Sequence, residues 1–99
     1  MELNFEELAN SLDWDDRVLA AKSPICPLYL LEKLADDYEP GIRYKVARNP
    51  NCFVHLLEKL VDDEKGYVRY GVTINPICPQ YLKDYVIAKN FIECYGNEF

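Results

Sequence analysis

Apolar residues in the middle of the chain recur with helical periods. Ile42, Val46 and Ala47 stand at i, i+4 and i+5, and Phe53, Leu56, Leu57 and Leu60 at i, i+3, i+4 and i+7. Such spacings place each set on one face of an α-helix. Between the two sets lies Asn49-Pro50-Asn51-Cys52. The residue before a proline is pushed out of the α region, so Asn49 is expected to end the first helix. The local pattern is helix, turn, helix.

That pattern occurs three times. Ser23-Pro24-Ile25-Cys26 stands 26 residues before the central turn and Asn75-Pro76-Ile77-Cys78 stands 26 residues after it. In this register Arg17, Arg43 and Arg69 align, as do Ala20, Val46 and Val72, then Leu30, Leu56 and Leu82, then Leu34, Leu60 and Val86. Repeats of this length indicate a solenoid or array. The spacing predicts first helices over 14–22, 40–48 and 66–74, and second helices over 27–36, 53–62 and 79–89. Pro27 and Pro79 suit a first helical turn, where a missing amide hydrogen costs nothing. Asp36-Asp37 and Asp62-Asp63 precede Pro40 and Gly66, where carboxylates satisfy free amides and complement the positive start of a helix.

The expected fold is a single all-α domain: a short α-solenoid of about three 26-residue helix-turn-helix repeats with half-repeat caps. The repeats are 13–36, 37–62 and 63–88. Phe5, Leu8 and Ala9 align with Leu31, Leu34 and Ala35, so 1–12 reads as an N-terminal cap built on half a unit. Residues 89–99 form a C-terminal cap or tail, in which Phe91, Ile92, Cys94 and Tyr95 are expected to fold back over the last repeat. The alternative for this end is that Phe91, Tyr95 and Phe99 form an adhesive edge, which makes the expected state a monomer or weak homodimer.

Composition narrows the partners. Hydrophobic content of 49% and aromatic content of 13% are too rich for a disordered chain. The net charge of -6 argues against direct nucleic-acid binding, which rests on Lys and Arg neutralising phosphates. The longest apolar runs are only a few residues and the start lacks a basic segment, which argues against a membrane span or secretory leader. Cytoplasmic localisation is the expectation.

The residues that could carry chemistry also have structural roles open to them. Cys26, Cys52 and Cys78 share one repeat position, so neighbours are separated by roughly 8–10 Å, one helix-packing distance. Thiolates sharing a zinc lie within roughly 4 Å of one another. The three are therefore expected to be buried structural thiols, with Cys94 the one suspected of exposure. Arg17, Arg43 and Arg69 form a ladder with the aspartate pairs and are expected to brace the units. Asp13, Asp15 and Asp16 lack the glycine turn and late glutamate of a calcium loop. His55 has Tyr29 and Tyr81 as repeat equivalents, and no serine or isolated cysteine is placed to partner it, so catalysis is not expected. Neither a metal nor a cofactor is implied.

The string Ile42-Arg43-x-x-Val46-Ala47-x-Asn49-Pro50-x-Cys52, followed by Leu56 and Leu60-Val61-Asp62, resembles the leucine-rich repeat variant family. Val68-Arg69-x-x-Val72 with Asn75-Pro76-x-Cys78-Pro79, Leu82 and Val86 carries the same likeness. The resemblance spans roughly 13–88 and implies short paired helices stacked into a right-handed, HEAT-like superhelix. This chain departs from the family in its slightly longer unit and in lacking the cysteine-rich iron-sulfur segment some members carry.

The helix surfaces carry the remaining functional candidates. Tyr29, His55 and Tyr81, with Lys33, Lys59 and Tyr85 one turn later, fall in a stripe along the second helices, beside an acidic stripe of Glu6, Glu32, Glu58 and Asp84. Tyr44 and Tyr70 lie off the core-facing positions of the first helices, flanked by Lys45 and Arg48. Aromatics of this kind are enriched at protein interfaces. The expected role is a noncatalytic protein-protein interaction module. The alternative is an acidic decoy that occupies a nucleic-acid-binding site on a partner protein.

Overall fold

Seven helices and no strand make up the described part of the chain: α1 Phe5–Ala9, α2 Trp14–Lys22, α3 Leu28–Leu34, α4 Pro40–Arg48, α5 Val54–Leu60, α6 Gly66–Thr73 and α7 Gln80–Tyr95. A computed structural model describes residues 4–95, with side chains through Ile92. The side chains of Cys94 and Tyr95, and all of Phe99, lie outside the described residues. The principal extents are 56 × 25 × 15 Å. Helix α2 packs on α4, α4 on α6, and α6 on α7, while α1 closes the other end against α2 and α3.

Local sequence explains where these helices start and stop. Asp13 caps α2 by accepting from the Asp15 amide at 2.9 Å, Asp15 and Asp16 occupy the first turn, and Lys22 the last. Pro40 opens α4 in the first turn, where its missing N–H leaves no bond unmade. Ser23 and Asn49, each followed by proline, have ψ of 129° and 127°, extended values that end α2 and α4. The second helices α3 and α5 start one residue later than predicted, since Pro27 and Phe53 stand outside as N-caps with ψ of 144° and 161°, and end two residues earlier, because their last turns tighten into i→i+3 bonds such as Asp37 N to Leu34 O at 3.1 Å.

The largest departure is at the C-terminal end. The chain after Ala88 does not turn back over the last repeat. Instead α7 continues unbroken to Tyr95, more than twice the length of α3 or α5. The reason is legible residue by residue: Asp36-Asp37 and Asp62-Asp63, which stop the inner units, are replaced at the same position by Ala88-Lys89. These are better helix formers than aspartate, so nothing interrupts the helix.

The core is one continuous cluster through the units, including Leu31, Leu34, Ile42, Val46, Leu57, Leu60, Val68, Val72 and Val86. Gly71 marks a close approach of α6 to α4, since a Cβ there would lie 2.9 Å from Tyr44 Cδ1 and 3.2 Å from Ala47 Cβ. Cys26, Cys52 and Cys78 are buried and unlinked, and each Sγ points to the carbonyl of the next residue at 3.5–3.8 Å. Burial raises all three thiols, Cys52 to about 12. A thiol reagent at pH 8 is therefore expected to leave these three unmodified in the native protein and label all of them in denaturant, as read by peptide mass mapping.

Candidate functional site

Three sets of side-chain bonds join neighbouring units, and together they determine what is left on the surface. The first runs along the turn edge. Arg17 Nε donates to Asp37 Oδ2 at 2.8 Å, and Arg43 Nε donates to Asp63 Oδ2 at 2.7 Å, each twenty residues ahead. Arg43 Nη2 completes a fork to Asp63 Oδ1 at 3.1 Å, and Arg43 Nη1 donates back to the Asp37 carbonyl at 2.7 Å. Arg69 occupies the third position, donating through Nε and Nη2 to Asn90 Oδ1 at 3.2 and 3.1 Å and through Nη1 to the Asp63 carbonyl. The aspartates also close the turn that leads into the next helix, because Asp37 Oδ1 accepts from Glu39 N at 3.0 Å and Asp63 Oδ1 from Lys65 N at 2.9 Å, the amides of the residues just before α4 and α6. Burial alone would raise Asp63. The Arg43 and Lys65 hydrogen bonds and the charges of Arg43 and Arg69 outweigh it, so its pKa lies below the usual carboxylate range.

The second set lies at the inter-helix turns. Asn49 Nδ2 donates to the carbonyls of Ala21 at 2.6 Å and Ser23 at 2.8 Å, and Asn75 Nδ2 to those of Ala47 at 2.8 Å and Asn49 at 2.9 Å. Each side-chain oxygen accepts from the amide two residues on. Both asparagines are 1–2% exposed. The first unit has Ser23 at this position, and a hydroxyl suffices there because its own local turn to Ile25 is all it closes.

The third set decorates the second helices. Tyr29 OH donates to Glu6 Oε1 at 2.7 Å, Tyr81 OH to Glu58 Oε2 at 3.0 Å, and Tyr85 OH to Asp62 Oδ1, in every case twenty-three residues back. Lys59 makes the same step to Asp36 at 2.6 Å. The rings remain outside: Tyr29, Tyr81 and Tyr85 are 57%, 56% and 45% exposed. His55 breaks the series. Its Nδ1 lies 3.9 Å from Glu58 on its own helix and its ring stacks on Phe53 at 6.1 Å between centroids. Between the flanking tyrosine rungs this leaves a hollow of about 260 Å³ lined by Glu32, Asp36, His55, Leu56 and Lys59.

The structure thus brings Tyr29, His55, Lys59, Tyr81 and Tyr85 onto one bonded face, with Lys33 exposed on α3 of the same series. Tyr44 does not belong with them. It is half-buried in the joint between α4 and α6, edge-on to Tyr67 at 5.8 Å and against Gly71, with Lys45 and Arg48 over its ring. Its repeat equivalent Tyr70 is 55% exposed, because no further first helix lies over α6. The tyrosine-carboxylate rungs were not foreseen from sequence, although the constant offset of 23, one repeat less one helical turn, is visible in it.

Hydrogen bonding to Glu6, Glu58 and Asp62, with a smaller effect of burial, raises Tyr29, Tyr81 and Tyr85 above the ordinary tyrosine range. A group whose folded pKa is raised contributes stability below its unfolded value, about 10, and loses it as pH rises through the folded one. In an alkaline absorbance titration, three of the eight tyrosines are expected to ionise late. Glu58→Gln returns Tyr81 toward the ordinary range.

Among the described residues no group of three or more His, Cys, Asp and Glu is placed to hold a metal ion, and no helix is long and apolar enough to cross a membrane. Compared with known protein families, with curated proteins and with solved structures, the chain matches none.

Proposed function

We propose that this chain is a noncatalytic protein-interaction module, a short right-handed α-solenoid of the leucine-rich repeat variant kind, acting in the cytoplasm. Three sets of bonds recurring between units support the repeat reading. The observation that carries the interaction reading is the tyrosine ladder: each hydroxyl of Tyr29, Tyr81 and Tyr85 is tied to a carboxylate of the preceding unit while its ring stays exposed. A ring held this way loses little freedom on binding, which is how preformed anchors gain affinity. His55 and Lys33 complete the contact surface, and Lys59 with the flanking carboxylates orients the partner.

The acidic-decoy reading, on Glu6, Glu32, Glu58 and Asp84, has less support, since Glu6 and Glu58 accept from tyrosine hydroxyls and Asp84 from the Gln80 side chain, bonds within the chain that a partner's cations would have to displace. Affinity capture tests both. A partner enriched by the wild type should be held more weakly by the Tyr29, Tyr81 and Tyr85 to Phe triple variant, which keeps the rings and loses their ties, and lost by the corresponding Ala triple variant, with far-UV circular dichroism confirming both folds. Retention by a folded Ala variant discards the stripe. Affinity that falls steeply between low and high salt points to the decoy instead.

A further inference from the structure

The outer face of α7 breaks the pattern that the inner units keep. At one repeat position Ala35 and Val61 are 3% and 4% exposed, whereas the third occupant, Ile87, is 65% exposed. Nearby, the last unit is apolar where the others are charged: Ile74 stands in place of Lys22 and Arg48, and Ala88 in place of Asp36 and Asp62. An end unit that faces water carries a polar outer surface. Helix α1, with Glu6 and Glu7 exposed, does so at the other end. Helix α7 does the opposite: its inner face buries Leu82 and Val86, and its outer face shows Ile87, Phe91 at 51% and Ile92 at 61%. An exposed apolar patch of this kind marks a surface that is covered by a partner.

The relief of this face says by what. Two shallow grooves run along it, one of about 450 Å³ floored by Asp84, Ile87, Ala88, Phe91 and Ile92, the other of about 330 Å³ between Tyr85 and Lys89. Ala88 and Ile92 line both, so they form an i, i+4 ridge between two grooves. Ridges of that row pack into the grooves of a like helix.

We propose that two copies of this chain pair through α7, antiparallel about a two-fold axis, with each Ala88–Ile92 ridge seated in a groove of the other. The area agrees. Tyr85, Ile87, Phe91 and Ile92, each roughly half exposed, offer on the order of 500 Å² together. A symmetric pair then withdraws on the order of 1,000 Å², the lower limit for a specific interface, so the dimer is a weak one in the micromolar range. Head-to-tail stacking is disfavoured by chemistry at the other end. There Ser23 replaces the asparagine with which Asn49 and Asn75 take two carbonyls of the unit before, so Thr73 O and Asn75 O, the latter already taken by Cys78 N, would not gain the side-chain amide that joins the inner units. Association therefore closes at two.

Sedimentation velocity on the full chain, from about 5 to about 500 µM, tests this across the micromolar range. The mass should climb from 11.6 kDa to twice that value and stop. Ile92→Glu, at an exposed position that leaves the circular dichroism unchanged, should weaken the dimer by about 100-fold or more, because the two-fold buries the new charge twice. Ala88→Glu should do the same, while Ile25→Glu, 72% exposed at a distant turn, should leave it intact. Alanine at Tyr29, outside the α7 face, should also leave it intact, which separates this proposal from the tyrosine surface. A wild type that stays monomeric throughout, a mass growing past two copies, or a dimer insensitive to Ile92→Glu would each overturn it.

Discussion

Arg43→Ala is expected to remove about 3–5 kcal/mol of stability, the usual cost of deleting one partner of a buried ion pair. That is a large share of the 5–15 kcal/mol a domain of this size commands. The loss is steep because Arg43 closes three bonds at once, two to Asp63 and one to the Asp37 carbonyl. Without it, Asp63 keeps a charge at 7% side-chain exposure, met by one hydrogen bond from the Lys65 amide and by the charge of Arg69. Arg43→Lys should recover little, since a single ammonium cannot reproduce the fork. Arg43→Ala combined with Asp63→Ala should be more stable than Arg43→Ala alone, because no buried charge is left unpaired. Urea denaturation midpoints check all three. The pH profile adds a signature: Asp63 has a lowered folded pKa, so its contribution is present above its unfolded value of about 3.9 and is lost as pH falls through the folded one. Arg43→Ala should flatten that acid limb.

Asn49→Asp is the second severe substitution, expected to cost about 4 kcal/mol or more at neutral pH. The side chain is 1% exposed and its Nδ2 sits 2.6 and 2.8 Å from two carbonyl oxygens. An ionised carboxylate there faces two acceptors with no donor to offer. Asn49→Ala removes the same bonds without placing a charge and should cost about 2–3 kcal/mol. The two variants separate by pH. The buried aspartate must hold its proton, so its folded pKa is raised, and the variant comes closest to Asn49→Ala below about pH 4 and falls behind as pH rises. If denaturation at pH 4 and pH 7 gave the same gap between them, Asn49 would not be a buried donor.

The pattern of helices was legible because its causes are local. Pro24 and Pro50 end α2 and α4 by steric exclusion at the residue before them, Asp13 caps through its own side chain, and the apolar positions of α4 and α5 follow from the 3.6-residue turn. The buried thiols and the arginine ladder were legible too, since three residues at one repeat position share one environment. The tyrosine stripe was half legible. Its positions followed from periodicity, yet Tyr44, a stripe candidate by the same logic, is half-buried, because Gly71 lets α6 approach α4 closely enough to cover it. The C-terminal fold-back failed for a readable reason: the missing aspartate pair at Ala88-Lys89 removes the stop.

By itself, then, the sequence determined the units: an all-helical chain, its turns, its repeat and the faces that turn inward, all set by interactions within a few residues. Only the tertiary structure decided which polar group meets which across units. Whether Tyr29 reaches Glu6, whether Asn49 reaches Ala21, and whether Ile87 is covered or bare depend on the offset with which one unit rests on the next. That offset is a property of packed surfaces, not of any single helix, and the spacing of 23 acquires its meaning only once the units are seen to rest on one another.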